Sequence, residues 1–151
     1  MKRWLVFILG VLFLAACEGS PVASFMATPT PTCEAGLPAF AQQLEPLARE
    51  WDDANTVAGS TPRAALATQI ASLQAVRRKV EDIPAPVCGT TIKDHLVRSM
   101  DASIDGYVAF LGQKPDNEVS AKFSTASTEL AAYRNALQKA TMPTDTPTAA
   151  P

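Results

Sequence analysis

The sequence predicts an all-α domain, an antiparallel up-down-up-down four-helix bundle, with a Pro/Thr-rich tether before it and a similar tail after it. Three observations carry this. Residues 33 to 140 hold four segments in which apolar side chains recur every three or four positions. The segments are of similar length. Their connections are short and marked by proline and glycine, which favours antiparallel neighbours.

The first segment carries Leu37, Phe40, Leu44, Leu47, Trp51, Ala54 and Ala58, a seam of alternating three- and four-residue steps. Pro38 suits a first turn. Pro46 removes an amide donor and is expected to kink the helix or split it. Gly59 is the expected C-terminal cap. The second segment opens on Thr61 as cap and Pro62 as first helical residue. Its seam is Leu66, Ile70, Leu73, Arg77 and Val80, flanked by Val76 and Ile83, and it stops before Pro84. Pro84 to Gly89 is a stiff connector.

The third segment begins at Thr91, with Asp94 as a capping-box partner. Its buried face reads Ile92, Leu96, Ser99, Met100, Ser103, Tyr107, Phe110 and Leu111, and Gly112 ends it. Asp94, Arg98, Asp101 and Asp105 read as a solvated ladder on the opposite face. Ser99, Ser103 and Gly106 form a strip of small side chains. Counting along antiparallel helices puts Trp51 level with Ile70, Gly106 and Phe123, so Gly106 makes room for Trp51 or Phe123. The fourth segment follows Lys114-Pro115, is capped by Asp116 or Asn117, and has the seam Val119, Phe123, Ala126, Leu130, Tyr133 and Leu137.

The amino-terminal stretch follows a different logic. Lys2-Arg3 precede an apolar run of thirteen residues from Trp4 to Ala16, whereas a membrane span needs about 20. The run fits the h-region of a signal peptide. It ends in Leu14-Ala15-Ala16-Cys17, which resembles the lipobox of bacterial lipoproteins. The resemblance covers residues 1 to 17 and brings no activity with it. It implies removal of residues 1 to 16 and acylation of Cys17 by fatty chains such as palmitate. It also implies export and a membrane anchor facing the periplasm or the cell exterior. Glu18 is not the Asp that tends to hold such proteins at an inner membrane. Each buried acyl methylene contributes about 0.8 kcal/mol, so two or three chains hold essentially for good.

On this reading, residues 17 to 32 are the lipidated cysteine and a flexible tether. The fifteen residues from Glu18 to Thr32 reach at most about 50 Å. Phe25 and Met26 are an apolar pair within it. Residues 141 to 151 form a disordered tail. With Cys17 acylated, Cys33 and Cys88 remain. A disulfide is the default in an oxidising space; a metal pair is the weaker alternative, because nothing nearby supplies further ligands. In an up-down-up-down bundle the two cysteines lie at the same end.

The whole chain carries a formal net charge of −2. The portion after residue 16 has 11 basic and 15 acidic side chains, a net charge of −4. The only basic cluster is Arg77-Arg78-Lys79, so nucleic-acid binding is not expected. His95 is the only histidine. It has Ser99 one turn on, but adjacent Asp94 points elsewhere on the helix, and a triad needs an orienting group and an oxyanion hole. No Glu-x-x-His pair, Cys-x-x-Cys-His run, phosphate loop or zinc spacing occurs. His95 and Met100 are too close on one helix to hold opposite faces of a haem. No cofactor or metal and no catalytic activity is therefore expected. Arg77, inside the second seam, is the most informative polar residue. It is either a snorkelling side chain paired with Glu45 or Glu129, or stacked on Tyr133, or a cation facing a ligand together with Trp51 and Tyr107. The preferred expectation is a non-catalytic binding or structural lipoprotein with an unknown protein partner. The alternative is a ligand-binding or sensor-like bundle with a pocket between helices.

Overall fold

A computed structural model describes residues 33–141, with side chains from residue 35 onward. The acylation and tether expectations, Cys17 included, lie outside the described residues, as does the expected tail beyond residue 141; Thr141, expected as its first residue, is instead the last residue of a helix. Among those residues the chain is a bundle of four helices with no strand. They are α1 (Cys33–Ser60), α2 (Leu66–Asp82), α3 (Thr90–Leu111) and α4 (Asp116–Thr141). Short 3₁₀ turns, Arg63–Ala65 and Val87–Gly89, precede α2 and α3.

The predicted seams of α1 to α3 supply the core. Leu44, Leu73, Val80 and Met100 are fully buried, joined by Leu37, Phe40, Trp51, Leu66, Ile70, Ile92 and Leu96. At about 25 cal/mol per Å² of apolar surface removed from water, each large side chain contributes roughly 1.5–3 kcal/mol. Helix α3 buries more than one stripe: Ala102, Ile104 and Ala109 are buried as well. The reason is its position, since it packs on both α2 and α4. Helix α4 is the marginal one. Only Ala126 and Tyr133 are buried, whereas Phe123, Leu130 and Leu137 are partly covered.

Cross-helix pairs fix how the helices meet. Between α3 and α4, His95 meets Glu129, Ser99 Oγ donates to the Ala126 carbonyl at 2.8 Å, and Lys122 reaches Asp105 at 3.4 Å. Between α2 and α3, Arg77 pairs with Asp101, and Lys93 Nζ donates to the carbonyls of Glu81 and Ile83, both at 2.8 Å. Lys93 thereby satisfies carbonyls that the end of α2 leaves without helical donors. Between α1 and α2, Lys79 meets Glu50 at 2.6 Å.

Several local expectations are corrected. Pro46 does not split α1, which runs unbroken through it and through Pro38. Gly59 lies inside α1 and does not cap it; the helix ends at Ser60. Thr61 does not cap α2. Its hydroxyl donates back to the Val57 carbonyl at 2.6 Å, and the 3₁₀ turn after Pro62 delays α2 to Leu66. The Thr91–Asp94 capping box does not form. Helix α3 starts one residue earlier, after Gly89, and Thr90 bonds back to the Val87 carbonyl at 2.7 Å. Asp116 is already helical, with Pro115 supplying the first accepting carbonyl of α4. The Asp94–Asp105 ladder does not pair along its own face. Asp101 and Asp105 reach α2 and α4, and Arg98 bonds the Asp94 backbone carbonyl. Phe110 is 37% exposed and does not belong to the buried face.

Two glycines set close approaches. A Cβ on Gly89 would lie 3.0 Å from the Phe40 ring and from Pro86. A Cβ on Gly106 would lie 2.9 Å from the Phe123 ring, which makes an edge-on contact with Tyr107 at a centroid distance of 5.0 Å. Phe123, one of the two neighbours expected there, is the one that occupies the space. Gly106→Leu should therefore displace Phe123 and destabilise the bundle by about 2 kcal/mol through overpacking, less the helix propensity gained by losing glycine. Urea unfolding of the variant would measure the difference.

Candidate functional site

The side chains singled out in the sequence fall into separate clusters. Arg77 is half-buried at the α2–α3 contact. Its Nε and Nη2 form a two-pronged pair with the Asp101 carboxylate, the second bond at 3.0 Å, and Nη1 reaches Glu81 at 2.6 Å. The bond to Asp101 raises the Arg77 pKa above its ordinary value, against the desolvation that lowers it. The partners expected for it, Glu45, Glu129 or the Tyr133 ring, are not the ones it meets. The choice of Asp101 depends on how α2 and α3 are staggered, which the α2 sequence does not contain. The cleft beside Arg77 has a volume of about 520 Å³ and is walled by charge: Arg78, Glu81, Asp101 and Asp105.

Tyr107 belongs to a different place. It is buried, and its hydroxyl lies 3.1 Å from both the backbone carbonyl and the side-chain oxygen of Asn55 on α1. Burial pushes the phenol pKa above its ordinary value of 10.0, and the same holds for Tyr133. Trp51 is 4% exposed within the common core. Arg77 and Tyr107 line different clefts, so the three residues do not converge on one ligand.

His95 and Glu129 form the cluster that the sequence did not connect. His95 Nδ1 is 2.6 Å from Glu129 Oε2, and Arg98 stands 3.8 Å from the same oxygen. The hydrogen bond to His95, with the Arg98 charge second among the favourable influences, holds the Glu129 carboxyl below its ordinary value of 4.5. An ionised carboxylate only accepts, so it assigns the proton to Nδ1. Ser99 is not directed at this histidine; its hydroxyl is used on the Ala126 carbonyl. His95 thus ties α3 to α4. The missed signal is the pairing of a lone histidine with a glutamate on the neighbouring helix, which spacing within one helix cannot reveal.

These shifts have opposite signs for stability. Glu129 has a depressed folded pKa. Its contribution is present above 4.5 and is lost as pH falls through the lower folded value. Tyr107 and Tyr133 have raised folded pKa values. Their contribution is intact below 10.0 and is lost as pH rises through the folded values. Stability should therefore form a plateau across neutral pH, with an acid limb removed by Glu129→Gln and an alkaline limb reduced by Tyr133→Phe. Urea melts across that range would test both limbs.

Two further clefts open on the surface. One, of about 470 Å³, lies between α1 and α4 and includes Gln42, Glu45, Arg49 and Tyr133. The other, of about 360 Å³, lies where α1 ends and α4 begins and is lined mainly by apolar side chains. Cys88 sits in the turn before α3 and is engaged with a partner. Among the described residues no group of three or more His, Cys, Asp or Glu side chains is placed to hold a metal ion, and no helix is long and apolar enough to cross a membrane. No family model, no curated protein and no solved structure matches this chain.

Proposed function

We propose that the chain is an exported lipoprotein, acylated at Cys17, that carries a non-catalytic helical bundle for binding or spacing at a membrane surface. The observation that carries the non-catalytic part is how the polar groups are used. Arg77, Ser99, Tyr107 and the His95–Glu129 pair each join one helix to another. A nucleophile, a base and an oxyanion site must converge on one reacting atom, and these groups stand in separate contacts. The membrane part rests on the resemblance of Leu14-Ala15-Ala16-Cys17 to a lipobox. The acidic balance after residue 16, 11 basic against 15 acidic side chains, favours a protein partner over nucleic acid.

The bundle is read as up-down-up-down. In support, residues later in α3 meet residues earlier in α4, from His95–Glu129 to Gly106–Phe123. The same order holds between α2 and α3, from Arg77–Asp101 to Ile83–Lys93. Cys33 and Cys88 are read as a disulfide. In support, Cys88 is not a free thiol, and its neighbours Pro86 and Gly89 pack on Gly36 and Phe40 in the first turns of α1.

The test is expression in a bacterial host with a labelled fatty acid. The label should enter the protein and remain after washing in high salt, and Cys17→Ala should abolish both labelling and membrane association. An unlabelled, cytosolic protein that retains its leader would overturn the anchor. Turnover that depends on His95 would overturn the non-catalytic role. A second reading, a ligand-binding bundle, is favoured by the apolar cleft at the α1–α4 end, and the further inference below rests on that reading.

A further inference from the structure

We propose that the apolar cleft at the end of the bundle remote from Cys33 binds a small aromatic carboxylate, with its ring system among Leu66, Phe110 and Phe123 and its carboxylate on Arg63. The cleft has a volume of about 360 Å³, within the roughly 300–1,000 Å³ of small-molecule sites. Its walls come from every helix: Ala58 and Gly59 of α1, Leu66 of α2, Tyr107 and Phe110 of α3, and Phe123 of α4. Such a meeting of helix ends is a usual place for a pocket in a bundle.

Three features give the occupant its chemistry. The first is the aromatic lining. Phe123 is held by its seat on Gly106 and by the edge of Tyr107, so one wall is rigid before anything binds. Offset or edge-on ring contacts are worth about 0.5–1.5 kcal/mol beyond burial. The second is exposure. Phe110, in the wall of the cleft, is 37% exposed, and a flat apolar ligand would cover it. The third is charge. The Arg63 guanidinium lies 4.4 Å from the centre of the Phe110 ring, on the short turn between two cleft residues, Thr61 and Leu66. Among the described residues no carboxylate pairs with it, unlike Arg49, Arg77 and Arg98. The guanidinium thus sits over the Phe110 ring with no carboxylate on its donors. A carboxylate matches that fork with two parallel bonds.

Gly59 keeps the entrance open. A Cβ there would make only ordinary contact, 3.5 Å from the Tyr107 hydroxyl. A larger side chain can therefore enter the cleft without straining the backbone. Helix α1 has 28 residues, or about 42 Å at 1.5 Å per residue. On the tethered reading, the tether joins the bundle at the end opposite the cleft.

The test uses the full-length protein and two probes of the same shape, 2-naphthoate and the neutral 2-naphthylmethanol, followed by titration calorimetry. Naphthoate is expected to bind with saturable one-to-one stoichiometry, and the alcohol about tenfold more weakly, the usual range for losing a charge-assisted bond. Arg63→Gln should weaken naphthoate about tenfold and leave the alcohol unchanged. Gly59→Leu should abolish binding of both. Both positions are exposed, and thermal melting checks that the variants fold; if Gly59→Leu does not, the acid–alcohol comparison in Arg63→Gln still decides. Equal binding of the two probes, binding indifferent to Arg63, or no binding of naphthoate would each overturn the proposal. Failure here leaves the membrane anchor untouched, because fractionation with labelled fatty acid reads that separately.

Discussion

Reducing the protein, or replacing Cys88 with alanine, is expected to lower its unfolding free energy by about 4 kcal/mol. The proposed bridge to Cys33 closes a loop of 56 residues. On the chain-entropy account, a crosslink of that span restricts the unfolded chain by about this amount. The loop holds nearly all of α1 and the whole of α2. The first turns of α1 already pack on the turn that carries Cys88, through Phe40 on Gly89 and Gly36 beside Pro86. The bridge therefore acts on an existing contact, and its loss should leave the native arrangement intact. Urea melts with and without reductant would measure the difference. Cys17→Ala should not change it. Equal stability of the reduced and oxidised forms would remove the proposed pairing.

Leu96→Ala is expected to cost about 3 kcal/mol, whereas Leu130→Ala should cost about 1 kcal/mol. Leu96 is 1% exposed and lies on α3, the helix enclosed from both sides. Truncating a buried leucine loses the transfer energy of its methyl groups and leaves a cavity that close neighbours fill only partly. Leu130 lies on α4, packed against the core but not buried within it, so a truncation there opens to solvent and leaves little void. The two values are separated by more than the error of a denaturant titration. Equal costs would mean that α4 is as deeply packed as α3, contrary to the burial pattern.

The contrast between α3 and α4 marks how far the sequence alone could be read. The three- and four-residue spacing in α1, α2 and α3 foretold Leu44, Leu73, Leu96 and Met100 as core, because burial of one stripe is a local property of an amphipathic helix. It did not foretell that Ala102, Ile104 and Ala109 are buried, because a helix covered on two sides shows no single polar face. The seam of α4 is regular in sequence, yet Val119 and Leu130 within it are only half-covered. Cap chemistry was misread where tight turns intervened, as at Thr61 and Thr91. The partners of Arg77 and His95 were beyond reach, because each depends on the stagger between two helices. Arg63 went unnoticed for the same reason: nothing in its neighbourhood announces Phe110, far along the chain, as the ring beneath it.

The unbroken course of α1 through Pro46 has a dynamic consequence. Proline has no amide hydrogen, so the carbonyl of Gln42 loses its usual helical donor. Gln42 borders the open cleft between α1 and α4, where water can reach it. Hydrogen exchange should therefore divide this single helix into two segments of unequal protection. The segment from Leu47 to Ala58 would exchange slowly and the segment before Leu44 faster, with the step at the proline.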